Sequence, residues 1–521
     1  MKTFMLLLIT TLSATAADFD VVLRNGRIVD GSGKPAFAGD LAIKDGRIAA
    51  VGKVAGSGAS ELNVGGKIVA PGFIDVHTHS EDILKYSAAE NFLRMGVTTV
   101  VTGNCGGSRI DIARFFKDLE ATNVTLNVAS LIGHNSVRTK AMGGSLNRPP
   151  SADELSRMKA MVEQAMKDGA VGLSTGLIYL PGTFTKTEEI VELARVAAAH
   201  GGLYVSHIRH ETEQIFEALD ELCRVAREAG IRAQISHLKL AGPKAWGRAG
   251  EVLAVLDKAR ADGLDIAHDQ YVYTASSTGL SRLVPDQARE GGTKKFIERV
   301  RDPEQKRLII AEMKATLKRS LRSDYSYVFI ADCRHDKSLS GKTVPQAAKL
   351  RRGSDSLDDQ IELVLDLERH GGATAIFHGM NEADVRRFLL HPLTMVASDG
   401  GPRAPSTELT HPRSCGNNAR VLCRYVRELK LLSLEEAIRK MTSLPARTFR
   451  LQGHGEIKPG CAANVVVFDP DQAADRATFE QPRAYAVGFS DVFVNGTAVI
   501  RDGSLTGARP GKPVRSSPTR H

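Results

Sequence analysis

The segment Asp75-Val76-His77-Thr78-His79 closes an apolar stretch that begins after Pro71-Gly72. In a β-strand, residues i and i+2 point to the same side, so Asp75, His77 and His79 would face one way. Two neighbouring imidazoles at a strand end are suitable ligands for a transition metal such as Zn²⁺. The alternative is a pair of hydrogen-bonded core histidines, because a lone His-x-His segment also occurs by chance.

Three further apolar stretches end in a residue of the same chemical type. Val205-Ser206 leads to His207, Ile235-Ser236 leads to His237, and 396–398 leads to Asp399, which Gly400 follows. Each of these strand ends is a weak signal alone. If the strands are parallel, all four ends meet at one face, and together they predict the site of a metal-dependent hydrolase.

The elements that must position these residues are apolar strands alternating with helices. This alternation predicts an α/β fold with a parallel sheet covered by helices, and eight units predict a TIM-type (β/α)8 barrel within 69–450. Strands are predicted at 73–79, 98–103, 126–133, 171–176, 203–207, 232–237, 264–271, 373–379 and 393–399. One of the nine is surplus, and 373–379 is the suspect. The charged stretch at about 285–358 is predicted to be an insertion over the barrel mouth.

The two ends of the chain share another pattern. Short alternating strands, separated by turn sequences such as Asn25-Gly26 and Asp45-Gly46, occupy 17–68 and return in 451–508. We expect both segments to form one small β-sandwich domain. Residues 509–521 contain proline and arginine and are predicted to be a flexible tail.

The first sixteen residues have the features of a cleavable signal peptide. Lys2 supplies a positive charge, 4–12 is an apolar stretch too short to span a membrane, and Ala14-Thr15-Ala16 is typical of a cleavage site. This pattern predicts a periplasmic or secreted enzyme. No later segment of the sequence is apolar enough for a membrane span.

Composition limits the classes of partner. The 521 residues carry a net charge of +9, but Lys and Arg are scattered among acidic residues, and aromatic residues make up only 5%. A nucleic-acid surface needs clustered charge and stacking rings, so we predict a small-molecule substrate and no nucleic-acid partner. The six cysteines form no CxxC pair. If Cys105 binds a metal, at least one of the other five stays unpaired or pairs between chains.

Five motifs together carry a family resemblance that extends over about residues 20–470. They are TGNCGG at 102–107, GLSTGLIYLPG at 172–182, SHIRHE at 206–211, SHLK at 236–239 and HPR at 411–413. This set resembles the N-acyl-D-amino-acid deacylases (D-aminoacylases) of the amidohydrolase superfamily. Many superfamily barrels bridge two metals with a carboxylated lysine on strand four. Residues 171–176 contain no lysine, and in the resembling family a cysteine takes the bridging place.

The resemblance implies a set of roles for residues of this chain. Cys105, His207 and His237 would hold one tightly bound Zn²⁺. A second, weaker metal site would be formed by His77, His79 and Asp399, and Asp399 would also act as general base in the hydrolysis of N-acyl-D-amino acids. Five further residues would help to hold the substrate carboxylate: Tyr179, Lys239, Tyr271, Ser277 and Arg413.

Departures from the family pattern border the expected pocket and so concern substrate identity more than reaction type. The span from Cys105 to 172–182 is short, SHIR replaces THMR, and the segment between Asp399 and His411 is long. Two alternatives stay open: an amidohydrolase that acts on a cyclic amide or a dipeptide, and a catalytically silent barrel scaffold. A silent barrel would be expected to lose metal ligands, and this sequence keeps all six candidates.

Overall fold

A closed barrel of parallel strands forms the centre of the chain. The computed structural model describes residues 17–404 and 408–516, so the predicted signal peptide lies outside the described residues. In chain order the eight barrel positions are Phe73–Asp75, Val97–Thr102, Asn127–Ser130 with Ile132–Gly133, Gly172–Gly176, Leu203–His207, Arg232–Ile235, Ile266–Gln270 and Thr394–Val396. Each is buried, as expected for strands that helices cover on the outside.

Backbone contacts close the barrel at two points. At the third position, Asn127–Ser130 pairs with the second strand and Ile132–Gly133 pairs with the fourth, so a short break at Leu131 does not interrupt the cylinder. Beyond the eighth strand, the Asp399 amide donates to the His77 carbonyl at 2.8 Å, next to a parallel bridge between Thr78 and Gly400. The predicted (β/α)8 barrel is confirmed.

Amphipathic helices cover the barrel. Ile215–Ala229 buries Ile215, Leu219 and Leu222 at helical spacing against the strands. Ser151 and Glu154 form a reciprocal capping box that starts Ala152–Lys167. The other helices around the barrel are Glu90–Leu93, Ile112–Thr122, His134–Met142, Thr187–Ala199, Ala249–Ala261, Glu382–Leu390, Arg413–Arg420 with its π-helical continuation Val421–Glu428, Leu434–Met441, Ser443–Thr448 and the 3₁₀ turn Gly182–Phe184. None of the described helices is long and apolar enough to cross a bilayer.

The insertion between the seventh and eighth barrel strands is a subdomain with its own apolar core. Its antiparallel sheet has the order Ser276–Gly279, Thr374–Phe377, Val328–Asp332, Lys342–Thr343. Its helices are Asp286–Arg289, Thr293–Arg301, Pro303–Arg319, Val344–Arg352 and Leu357–Arg369, with 3₁₀ turns at Leu280–Leu283 and Lys337–Leu339. The surplus stretch at 373–379 therefore supplies a strand of this sheet. The subdomain extends beyond 285–358, because its core includes Leu280 and Val284 before that stretch and Ile361, Val364 and Ala375 after it.

Both ends of the chain meet in one nine-stranded sheet. Ile68–Pro71 pairs in parallel with Phe19–Ile28 and antiparallel with Val465–Phe468, so it joins the two halves. A bridge between Arg47 and Ala462 curls the sheet over its apolar face. The remaining strands are Phe37–Lys44, Arg47–Gly52, Gly58–Asn63, Phe489–Val494, Thr497–Arg501 and Ser504–Leu505.

The prediction of a flexible tail from residue 509 is wrong for residues 509–516. This segment lies along the barrel, where Gly511 donates to Val124, Lys512 accepts from Val128, and Val514 donates back to Val128. A Cβ on Gly511 would lie 2.2 Å from the Leu126 carbonyl oxygen, so the close approach requires glycine. The sequence pattern missed the contact because its partners lie almost 400 residues away.

Removal of this segment should destabilise the barrel. A chain truncated after Ala508 loses backbone hydrogen bonds to the third barrel strand, each with a net contribution of about 1 kcal/mol. We expect its unfolding temperature in a calorimetric scan to fall by several degrees. A chain truncated after Ser516 keeps these bonds and is the matched control. Equal unfolding temperatures for the two truncations would contradict the structural role of the segment.

Candidate metal centre and active site

Four barrel strands deliver ligand-type side chains to one point. His77 follows the first strand, Cys105 follows the second, His207 ends the fifth, and His237 follows the sixth. The Cys105 sulfur lies 3.3 Å from His77 Nε2, 3.5 Å from His207 Nδ1 and 3.7 Å from His237 Nε2. All these side chains are almost completely buried. The structure thus brings the four predicted residues together.

Asp399 and His79 complete the cluster on the side of the eighth strand. Asp399 Oδ1 lies 3.1 Å from His79 Nε2 and 3.6 Å from His77 Nε2. Donor atoms within 4.8 Å of one another form three sets. They are Cys105 with His207 and His237, Cys105 with His77 and His79, and Asp399 with His77 and His237. Cys105, His77 and His237 each belong to two of these sets, so the three sets overlap in one continuous cluster.

The distances among the donor atoms fit Zn²⁺. A tetrahedral zinc with Zn–S of about 2.3 Å and Zn–N of about 2.0–2.1 Å separates sulfur from nitrogen by about 3.6 Å. The distances of 3.5 and 3.7 Å from the Cys105 sulfur to His207 and His237 agree with this value. A thiolate with two imidazoles also leaves the fourth position of a catalytic zinc site open.

The local electrostatics favour the ligand form of the cysteine. Burial by itself raises the pKa of the Cys105 thiol, but His77 and hydrogen bonds from His207 and His237 hold that pKa well below its ordinary value. Burial lowers the pKa of His207, which favours its neutral, metal-binding form. None of the six cysteines forms a disulfide bond. Cys105 differs from the other five cysteines because three imidazoles surround its sulfur.

Three residues of the cluster have a left-handed backbone. The φ angles are 52° at Cys105, 36° at His237 and 50° at Asp399. Non-glycine residues adopt this conformation at an energetic penalty, and such strain concentrates at functional sites. Next to Cys105, a Cβ on Gly106 would lie 2.2 Å from Asn135 Oδ1, so the loop after the second strand packs closely only with glycine there.

Two carboxylates outside the predicted ligand set orient the histidines of the centre. Asp269 Oδ2 lies 3.4 Å from His77 Nδ1, and Asp269 Oδ1 accepts the His237 amide at 2.8 Å. Glu211 Oε1 lies 3.1 Å from His237 Nδ1. Carboxylates behind metal-binding imidazoles fix the ring and its tautomer. The available signals were the position of Asp269 at a strand end and that of Glu211 four residues after His207.

Asp75 shares a strand end with His77 but has a different task. Its carboxylate accepts the Ser398 amide at 3.0 Å and the His77 amide at 3.2 Å, so it fastens the first strand to the eighth. Burial raises the pKa of Asp75 to about 7. The i, i+2 pattern grouped Asp75 with the histidines, whereas the strand ends at Asp75 and the chain turns after it.

Two of the five predicted substrate contacts lie against the ring of a third, Tyr271. The Arg413 guanidinium lies 4.6 Å and Lys239 Nζ 5.7 Å from the centre of that ring. Each cation also has a carboxylate partner, Asp399 Oδ2 at 2.8 Å for Arg413 and Glu211 for Lys239. The centre opens to a cavity of about 980 Å³, whose lining includes Tyr179, Ser277 and Arg413 but neither Lys239 nor Tyr271.

The pair between Arg413 and Asp399 holds the latter ionised. Burial by itself raises the pKa of Asp399, but Arg413 and the neighbouring histidines lower it well below its ordinary range. An ionised carboxylate at the edge of the histidine cluster can bind a metal ion or accept a proton from water. The site thus combines a soft metal-binding core with a base and two cations, as hydrolysis of an anionic amide requires.

Comparison with known proteins identifies relatives along the whole chain. The Amidohydrolase family matches residues 61–500. D-aminoacylase from Alcaligenes xylosoxydans xylosoxydans is 36% identical over 519 residues, which cover 95% of this chain and 97% of that protein. N-acyl-D-glutamate deacylase from the same organism is 37% identical over 520 residues, with 95% and 96% covered.

Solved structures agree with these relatives. A D-aminoacylase crystal structure superposes with a TM-score of 0.81 at 35% identity over 96% of this chain and 100% of that one. N-acyl-D-glutamate deacylase from Bordetella bronchiseptica, complexed with zinc and a phosphonate mimic of the tetrahedral intermediate, has the same TM-score, identity and coverage. The chain belongs to the amidohydrolase family and, within it, to the N-acyl-D-amino-acid deacylases.

Proposed function

We propose that this chain is a zinc-dependent hydrolase that releases free D-amino acids from N-acyl-D-amino acids. The observation that carries the proposal is the position of the Cys105 sulfur, 3.3–3.7 Å from three imidazoles with Asp399 beside them. The names of the full-length relatives support the substrate class, since two of them act on D-amino-acid derivatives.

Cys105, His207 and His237 would hold one zinc ion, and His77, His79 and Asp399 would hold a second. The bound metal would supply Lewis acidity at the scissile carbonyl and acidify the attacking water. Asp399, whose Oδ1 faces the histidines, accepts the proton of that water and later returns it to the nitrogen of the leaving amine. The bond broken is the amide C–N bond. The products are a carboxylate and an amine, and no covalent enzyme intermediate is needed.

The guanidinium group of Arg413 can bind the substrate carboxylate. Arg413 contacts Asp399 through Nη1, while its Nη2 donates to the Ser277 carbonyl, so its planar group faces the cavity beside the base. Guanidinium groups bind carboxylates well because their donors match the two oxygens. When the substrate carboxylate is bound at Arg413, the amide nitrogen of the N-acyl amino acid lies next to Asp399.

The other two hypotheses have less support. A silent scaffold does not need a buried thiolate cluster with strained backbone at three of its members. Solved hydantoinase and dihydropyrimidinase structures are only 14–17% identical to this chain and share its fold. A D-hydantoinase from Rhizobium radiobacter is 40% identical, but over 91 residues that cover 17% of this chain. Turnover of hydantoins or dipeptides in place of N-acyl-D-amino acids would restore the hypothesis of a cyclic-amide or dipeptide hydrolase.

We also propose that the enzyme works outside the cytoplasm. The supporting pattern is Lys2, the apolar segment 4–12 and the small residues of 14–16.

Replacement of the base should abolish most of the turnover. Wild type with zinc should release amine from N-acetyl-D-amino acids and not from the L-enantiomers. Asp399→Asn should lower kcat by a factor of about 10²–10⁴, the usual contribution of general acid–base catalysis. Asp262→Asn, at an exposed helix end, is the matched control and should retain wild-type rates. Full activity of Asp399→Asn would remove Asp399 from the mechanism.

Loss of the thiolate should release the metal. Zinc retained after dialysis against a weak chelator, measured by atomic absorption, should fall at least about tenfold in Cys105→Ser, because the softest ligand is lost. Cys461→Ser changes a cysteine of the terminal β domain and serves as the control. Equal zinc retention in Cys105→Ser and wild type would place the metal elsewhere.

Cell fractionation tests the proposed location. The mature protein should appear outside the cytoplasm with Ala17 as its first residue, as read by N-terminal sequencing. Leu7→Arg interrupts the apolar segment and should keep the chain in the cytoplasm. An uncleaved wild-type chain found only in the cytoplasm would refute export.

A further inference from the structure

The active-site cavity has two opposite walls. Ser277 and Arg413 line it after the seventh and eighth barrel strands, whereas the helix His134–Met142, here termed the pocket helix, lines it after the third. In a closed barrel of eight strands, the third and seventh positions lie across the axis from each other. Cys105, His237 and Asp399 line the same cavity, after the second, sixth and eighth strands. A substrate held at Arg413 and hydrolysed at the centre therefore extends toward the pocket helix.

One face of the pocket helix is turned to the cavity. Ser136, Thr139, Lys140 and Gly143 line it at positions i, i+3, i+4 and i+7, the spacing of a single helix face. The opposite face is fixed in the protein interior, where Glu189 pairs with both His134 and Arg138 at 2.9 and 3.0 Å. The polar face is therefore a rigid wall of the cavity.

Lys140 is a cation on the cavity-facing side of the pocket helix that forms no ion pair within the described residues. Its side chain is exposed, and within residues 17–404 and 408–516 its Nζ has no hydrogen-bond or ion-pair partner. The two cations near the centre, Lys239 and Arg413, each have a carboxylate partner. A lysine in the last turn of a helix also stabilises the helix dipole, but this role does not require a position on the cavity face.

We propose that the pocket-helix wall is an acyl subsite that favours acyl groups with a terminal carboxylate, which Lys140 binds. The proposal rests on the proposed function. A trans amide puts the amino-acid Cα and the first acyl carbon on opposite sides of the C–N bond. With the amino-acid carboxylate at Arg413, the acyl chain runs to the pocket helix.

The chemistry of the pocket helix is consistent with a short dicarboxylic acyl group such as succinyl. From Ser136 to Lys140 the helix rises about 6 Å, and Ser136 and Thr139 line the cavity on the same helix face as Lys140. Water adds to the acyl carbon as the C–N bond breaks. The acyl group leaves as a dicarboxylate, the nitrogen leaves as the free amine, and no further reactant is needed.

The test compares kcat/KM for N-succinyl and N-acetyl derivatives of one neutral D-amino acid. Wild type should favour the succinyl substrate by about threefold to tenfold, since an ion pair open to solvent contributes modestly. Lys140→Met should abolish this preference, and Lys140→Glu should reverse it. Turnover of the N-acetyl substrate should stay within about twofold of wild type in both variants. Lys167→Met, which changes an exposed last-turn lysine of another helix, is the control.

Two outcomes would overturn the acyl subsite: no succinyl preference in wild type, or a preference that persists in Lys140→Met. If Lys140→Met instead changes the ratio between N-acetyl-D-glutamate and N-acetyl-D-glutamine, Lys140 reads the amino-acid side chain and the acyl assignment is wrong. Binding of succinate, measured by calorimetry, should weaken in Lys140→Met even without turnover. Absence of all D-amide turnover, with this succinate effect intact, would refute the proposed function but not the anion site.

Discussion

The contact between one sulfur and three imidazoles is the arrangement on which the rest of the site depends. Its four members come from the first, second, fifth and sixth barrel strands, so the cluster exists only when the barrel is closed in the correct register. A slip of one residue would turn a strand's side chains to the other face. Two hydrogen bonds fix that register where the barrel closes. The Ser398 amide donates to the Asp75 carboxylate, and the Asp399 amide donates to the His77 carbonyl.

Charge balance then decides how the site can bind its substrate. The carboxylate of Asp399 is buried and that of Glu211 is largely buried, and each pairs with a cation, Arg413 for Asp399 and Lys239 for Glu211. An incoming carboxylate enters an environment that already contains matched charges, so it must share a cation with a carboxylate of the protein. An uncompensated buried charge is strongly unfavourable, which explains why these pairs exist before the substrate arrives.

Local patterns made the barrel and the metal ligands predictable from the sequence. Each of His207, His237 and Asp399 follows an apolar strand of normal length, and parallel strands bring their ends together. Long-range contacts were not predictable. Asp269 supports His77 from 192 residues away, and residues 509–516 pack on a strand that ends at Ser130. The insertion was recognised by its charge, but its bounds were not. Its strand Thr374–Phe377 resembles a barrel strand in the sequence, and its polar strand Ser276–Gly279 has no apolar pattern.

Zinc K-edge X-ray absorption of the purified enzyme tests the central claim most directly. The account predicts one sulfur neighbour at about 2.3 Å together with nitrogen neighbours at about 2.0–2.1 Å. The sulfur signal should vanish in Cys105→Ser. A shell of nitrogen and oxygen alone in the wild-type enzyme would show that Cys105 does not bind the metal, and would contradict the account.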